Sequence, residues 1–255
     1  MTIPDGWLTD CANDLRASVA FLTRLPVAGA TPTTGADIAR AAWAFPLAGV
    51  LVALIAAVIY AVAHKIGSPP WVAAALAVAA TLAVTGCLHE DGLADTADGF
   101  GGGDTRERKL EIMRDSRIGS YGVCALTLSI LLRVSAIASL GNPIVVLWTL
   151  IAAHGAARAA IPVFMALVPP ARSDGLAYAA GQPSGERVIT ASVLGILILA
   201  IGLGPSLGIA ALILLLVAIV LMAWLSVVQI DGQTGDVLGA VEQVGEIVVL
   251  LVALR

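Results

Sequence analysis

Apolar and polar positions along this chain fall into long blocks, not a residue-by-residue alternation. Trp43 to Ala63 runs without a charge, and Trp71 to Leu88, Gly119 to Leu140, Ile144 to Val168, Val188 to Gly204 and Ser206 to Val228 follow, with a last apolar stretch beyond Asp236. A helix rises 1.5 Å per residue, so about 20 apolar residues cross a hydrocarbon core of about 30 Å. The pattern predicts an all-α, polytopic integral membrane helix bundle with six or seven transmembrane helices. Val188 to Gly204 is the shortest block, and Pro205 separates it from its successor. Ahead of the first span, Asp14 to Val27 places Leu15, Val19 and Leu22 on one side with Phe21 and Leu25 nearby, which predicts an amphipathic interfacial helix ending near Pro26. Gly, Pro and Thr from Ala28 to Asp37 predict a loop. Residues 1–255 read as one membrane-embedded domain, with 1–42 as an N-terminal interfacial segment and 89–118 and 169–187 as its main polar loops.

Composition sharpens the class. Hydrophobic residues make up 59% of the chain and charged ones 13%, and the mean hydropathy is +0.95, too apolar for a soluble domain of this size. Cys11, Cys87 and Cys124 show no CxxC spacing and are odd in number, so they supply neither a disulfide framework nor a zinc site. The first residues are acidic and lack an apolar signal core, which predicts a retained, cytoplasmic N-terminus. With seven spans alternating from there, the polar segments on the cytoplasmic side hold most of the 14 Lys and Arg, while Arg133 and Arg158 fall inside spans. That bias agrees with the positive-inside rule and puts the two acidic regions of the chain on one face.

Those regions carry the candidate chemistry. HEDGLADTADGFGGGD, His89 to Asp104, follows the second span and ends in a glycine-rich break. On a helix, at about 100° per residue, Asp91, Asp95 and Asp98 share one narrow face, where like charges repel unless a cation neutralises them. Oxygen ligands of this kind suit Mg²⁺ or Mn²⁺, which bind one or two carboxylates plus substrate phosphates. The second region, IDGQTGD, brackets Gln233 with Asp231 and Asp236, and the last apolar run carries Glu242 and Glu246 one turn apart beside a Gly235-Gly239 pair. Between the two lies DTRERKLEIMRDSRI, in which Asp104 and Glu107 fit a capping box and Arg114 and Arg117 stand ready for phosphate. Arg24 is a further candidate for phosphate contact. Arg133 and Arg158, as arginines inside spans, should face the bundle and pair with something anionic, Arg158 with a diphosphate or one of the acids and with His154 one turn away. Two acid clusters meeting at one membrane surface suit metal-assisted phosphoryl transfer. CDP-alcohol phosphotransferases and aspartate-rich prenyltransferases use related groups, but their motif spacings are absent here. A divalent-cation transporter would want the acids at mid-bilayer.

FLTRLPV near the start, HEDGLADTADG, LEIMRDSRIGSYG and GQTGDVLGAVEQVGE together resemble the cobalamin synthase family of adenosylcobinamide-GDP ribazoletransferases, in blocks spread over most of the chain. The loop after FLTRLPV, AGATPTTGAD, lacks the basic residues members commonly carry. The resemblance implies an Mg²⁺-dependent (or Mn²⁺-dependent) enzyme of the prokaryotic inner membrane, its site facing the cytoplasm. It would join adenosylcobinamide-GDP to α-ribazole or α-ribazole 5′-phosphate and release GMP, with membrane lipid around it, no nucleic-acid partner, and homo-oligomerisation left open. Asp91, Asp95 and Asp98 would then hold the metal. Asp231 or Asp236 would complete the metal shell or take the hydroxyl proton. Arg114, Arg117 and Arg158 would offset phosphate charge, and His89 would be a secondary polar group.

Overall fold

The computed structural model describes residues 7–27 and 34–255, and within them every regular element is a helix. Helix α1 (Trp7–Leu22) starts before the predicted Asp14 and stops before Pro26. Its inward stripe is Asp14, Ser18 and Leu22, while Leu15, placed with Val19 and Leu22 on the predicted apolar side, is 37% exposed. The predicted 28–37 loop lies outside the described residues as far as position 33. Its end is helical instead: α2 (Gly35–Ala41) is capped by Thr34, whose side chain accepts from the Asp37 amide while Asp37 bonds back.

The first span is α3 (Phe45–Lys65), entered through a short 3₁₀ turn over Ala42–Ala44. The second block differs from its prediction. Helix α4 (Pro70–Thr85) ends at left-handed Gly86 (φ 64°) and Cys87 (φ 59°), the chain turns by 90°, and α5 (Leu88–Gly102) begins. The acidic motif is thus a helix of its own, and the expected glycine break is its last turn. Gly99 and Gly101 serve there as seats for the Met113 and Tyr121 side chains.

Helix α6 (Arg106–Ile112) is capped by Thr105, which accepts from the Arg108 amide, and not by the predicted Asp104. Spans α7 (Ser120–Leu140) and α8 (Pro143–Leu167) match their predicted blocks, and Asn142 caps α8 by accepting from the amides of Ile144 and Val145. Alanine and glycine dominate α8 from Ala152 to Ala160, so neighbours come close on all sides. It is the buried axis of the bundle, with α3, α10 and α11 packed around it. The 169–187 segment holds a short helix, α9 (Gly175–Ala180).

Helix α10 (Gly185–Ile230) has 46 residues with a non-helical Gly204 (φ 76°, ψ 167°) before Pro205. A straight helix that long would span about 69 Å, more than twice the hydrocarbon core. The chain instead doubles back, so that Gly208 lies against Leu199 and Ala200, and Ser192, Gly195 and Leu199 face Ile219, Leu215 and Leu212 across one apolar cleft. The short Val188 to Gly204 block is the first arm of this hairpin. Helix α11 (Gly235–Val252) then runs back into the bundle.

Among the described residues four helices are long and apolar enough to cross a membrane, or five if the bent α4 and α5 pair counts as one span; α2 and α3 count together and the α10 hairpin as a single helix in that number. The hairpin also brings Asp231 and Asp236 to the end of the bundle that carries α5. We expect cysteines substituted at Glu107 and Asp231, in a background without native cysteines, to label from one side of the membrane and a cysteine at Ile66 from the other. Labelling of Glu107 and Asp231 from opposite sides would break this topology.

Candidate active site

Helices α5 and α11 cross with almost no space between them. A Cβ on Gly92 would lie 2.7 Å from the Asp236 carbonyl oxygen, and one on Gly239 would lie 3.2 Å from the backbone of His89 and Gly92. Gly239, from the predicted small-residue pair, makes this close approach; Gly235 has no neighbour within 4 Å. The crossing sets the two acid regions side by side. Asp91 and Asp236 line one cavity, Asp91 and Asp95 line a second, and the charges of Asp91, Asp236 and Asp98 all act on Asp95. Gly92→Ala should force the helices apart and lower turnover about tenfold or more, since angstrom-scale misplacement costs that much. Steady-state kinetics on membrane-inserted protein will check it.

Asp91 is exposed, Asp95 half-buried, and Asp236 accepts a hydrogen bond from Thr234 Oγ1 at 3.0 Å. The nearest cation to Asp236 is Arg172, with Nη2 at 3.8 Å from Oδ2 and with Nη1 buried and unpartnered. Carboxylate oxygens are the donor type a hard divalent ion such as Mg²⁺ takes, but Asp91, Asp95 and Asp236 are not spaced to share one ion as they stand. Asp98 stands apart: its oxygens accept the amides of Gly119 (2.7 Å) and Gly122 (2.8 Å), so it closes the N-terminus of α7. Sequence reasoning grouped it with Asp91 and Asp95 because they share a face, but the α7 amides hold its carboxylate.

The first cavity, about 190 Å³, is mostly apolar, walled by Phe21, Phe45, Ile161 and Met165, with Asp91, Asp236 and Arg172 at its polar corner. Helices α1 and α2 form its cover, pinned by Asp14. That carboxylate is buried against Arg40 Nε (2.9 Å), Trp43 Nε1 (2.9 Å) and Arg187 Nη1 (2.5 Å). Burial alone would raise its pKa, but the bonds from Arg40, Trp43 and Arg187 outweigh it and lower the value below 3.8. A lowered folded value stabilises above the unfolded pKa and is lost as pH falls through the folded one, so the pin should hold at neutral pH and release only in acid. The second cavity, about 490 Å³, lies across α5 and is bordered by Cys87, Asp91, Asp95, Arg114 and Ser116.

Behind the carboxylates lies a buried polar seam. Arg133 on α7 donates to Glu90 (2.8 Å), Glu246 (2.8 Å), Gln243 (3.2 Å) and Thr81 (3.0 Å), tying α4, α5 and α11 to one guanidinium. Arg158 on α8 lies 2.5 Å from Glu242, 3.1 Å from His154 Nδ1 and 3.4 Å from His89 Nδ1. His154 Nδ1 is 3.2 Å from Glu246. By spacing, His154, Glu242 and Glu246 could hold a metal ion, but the two arginines already supply positive charge there.

Several predicted site residues fall elsewhere. Arg158, expected on a phosphate or on one of the acids, takes the acid: it is fully buried in the seam on Glu242, because a span offers it no solvent. Asp231 is a left-handed helix cap, largely exposed and paired with Arg106 at 3.1 Å, outside both cavities. Arg24 is exposed and lies along Gly86. Arg117 forks onto its neighbour Asp115, whose pKa those hydrogen bonds hold at about 2. Gln233 is buried, and its backbone pairs with Pro169 and Ala171, joining the two polar loops. Glu242, Glu246 and His89 do sit in a polar interior, with His89 also on the wall of the first cavity. Arg114 reaches the second cavity while paired with Asp174. Sequence reasoning missed Arg172, which stood in a loop with no motif around it, and missed Gln243; it turned Arg133 inward toward an anion but named no partner for it.

Fold and site define a polytopic helical membrane protein with a carboxylate cluster between two cavities at one end of its bundle. The sequence profile of the family described as Cobalamin-5-phosphate synthase matches residues 14–254, and the chain belongs to that family. The chain is 58% identical over 240 residues to an adenosylcobinamide-GDP ribazoletransferase of Bradyrhizobium diazoefficiens, covering 94% of this chain and 92% of that one. It is 51% identical over 241 residues to the enzyme of that name from Mesorhizobium japonicum (94% and 92% covered) and 47% identical over 247 residues to that from Azorhizobium caulinodans (93% and 94%). No solved structure matches.

Proposed function

We propose that this protein transfers the adenosylcobinamide-phosphate group of adenosylcobinamide-GDP to a ribose hydroxyl of α-ribazole or α-ribazole 5′-phosphate, one left free when the 5′-oxygen carries phosphate, releasing GMP. The observation that carries it is the approach of Asp91 and Asp95 on α5 to Asp236 on α11, from two distant stretches of sequence, with Asp91 and Asp236 lining the first cavity and Asp91 and Asp95 the second, in a chain related along nearly its whole length to proteins of that name. Asp91 and Asp95 would hold Mg²⁺, which when bound neutralises charge on the diphosphate. The ribazole oxygen forms a bond to the cobinamide-side phosphorus, the bond from that phosphorus to the GMP oxygen breaks, and the hydroxyl proton passes to Asp236. Arg172, beside Asp236, and Arg114, at the rim, offset phosphate charge. The five Lys and Arg between Arg106 and Arg117 support reading this end of the bundle as the cytoplasmic side of a prokaryotic inner membrane, where GDP-activated substrates occur.

The test is turnover by purified protein in liposomes with both substrates, with and without Mg²⁺. Metal-dependent GMP release is the expected result. An inserted, folded protein that released no GMP under any divalent metal would end the proposal. Arg172→Ala should raise the KM of α-ribazole 5′-phosphate more than that of α-ribazole, because only the former brings an acceptor phosphate.

A further inference from the structure

Asp91 borders both cavities, and they differ in size and lining. We propose that they take the two substrates separately: the smaller apolar cavity receives the nucleoside acceptor, base first, and the larger one across α5 receives the adenosylcobinamide-GDP donor. The assignment rests on the transferase reading above.

A benzimidazole base is flat and largely apolar. The inner wall of the first cavity offers the Phe21 and Phe45 rings, centroids 6.0 Å apart and tilted by 32°, with Met165 opposite. Aromatic edges and a thioether are the surfaces such a ring packs against. With the base inside, the ribose faces the polar corner. A free ribose hydroxyl reaches Asp91 and Asp236, and a 5′-phosphate beside it meets the unpartnered Nη1 of Arg172.

The donor carries a corrin macrocycle and a nucleotide, too much for about 190 Å³. The second cavity is about 490 Å³, and Asp115 is shared between it and a further hollow of about 260 Å³ beside Arg117 and Tyr121. Its Arg114 is held by an exposed ion pair to Asp174, which a diphosphate can displace. Displacement at phosphorus also requires the attacking and leaving oxygens to lie roughly in line on opposite sides. A phosphorus centred at Asp91, attacked from the first cavity and losing GMP into the second, meets that requirement.

Cys87, exposed on the rim of the second cavity, is a native reporter, and Cys124, exposed on α7 away from both cavities, is its internal control. N-ethylmaleimide labelling of each cysteine, read by peptide mass spectrometry, is measured with each substrate alone. Adenosylcobinamide-GDP should slow Cys87 labelling about tenfold and α-ribazole should not, with Cys124 unchanged, as expected for near-saturating occupancy. Protection of Cys87 by α-ribazole alone, or by neither substrate, overturns the assignment. Met165→Trp, which fills the first cavity, should raise the acceptor KM about tenfold and leave the donor KM within about twofold. The reverse split overturns it as well. GMP release with the wrong pattern sinks this assignment alone, whereas absence of GMP release from the unmodified protein sinks the transferase reading beneath it.

Discussion

Asp91→Asn is expected to lower Mg²⁺-dependent GMP release by at least about 10²-fold, the scale for losing one electrostatic or proton-transfer group at a reacting centre. Among the described residues Asp91 is the carboxylate on the walls of both cavities, so every arrangement of the reacting phosphorus brings it close. It is exposed and engages in no ion pair among the described residues, so the amide should leave folding intact. Asp98→Asn should behave differently. An amide oxygen still accepts one of the two α7 amides, and the loss should appear in stability before chemistry. Kinetics and thermal unfolding measured on both variants separate the roles. Equal loss of turnover with unchanged stability in the two would return Asp98 to the metal shell.

Arg133→Ala is expected to destabilise the protein by about 3–5 kcal/mol, the cost of leaving buried charges without their partner. The guanidinium is 1% exposed and stands between Glu90 and Glu246, with Thr81 and Gln243 taking its remaining donors. Removal strands two carboxylates among helices α4, α5, α7 and α11. Those helices include both carriers of the acidic residues, so turnover should fall too. Replacing the group with apolar and amide residues together, Arg133→Met with Glu90→Gln and Glu246→Gln, should recover much of the stability, because no charge is then left unpaired. Thermal unfolding in detergent, followed by tryptophan fluorescence, checks both. A single variant as stable as the parent would mean that the seam contributes little.

Much of this protein was legible from its sequence. Uncharged runs of about 20 residues have no alternative but to be helical in a bilayer, since each unbonded backbone group there costs several kcal/mol. The α3, α7 and α8 blocks therefore came out nearly residue for residue. The helical spacing of Asp91 and Asp95 likewise announced a shared face, and Glu242 and Glu246 announced a polar interior, because charge in a span must find a partner. Gly204 and Pro205 marked a break, but only packing of Gly208 on Leu199 turned the break into a hairpin.

Partner choice was not legible. Asp91, Asp95 and Asp98 are indistinguishable by type and spacing, yet α7 presents its free amides to Asp98 and leaves the other two to the cavities. Arg158 and Arg172 are the same residue in sequence terms; one is neutralised by Glu242 inside the bundle and the other points at Asp236 from a loop. Asp231 and Asp236, five positions apart, part company because one caps α10 in the open and the other starts α11 beside Gly92. Sequence alone determined which segments enter the membrane and which residue types carry the chemistry, since burial and backbone hydrogen bonding act locally along the chain. Tertiary structure decided which charge neutralises which, because electrostatic pairing depends on distances between helices that no spacing within one helix encodes.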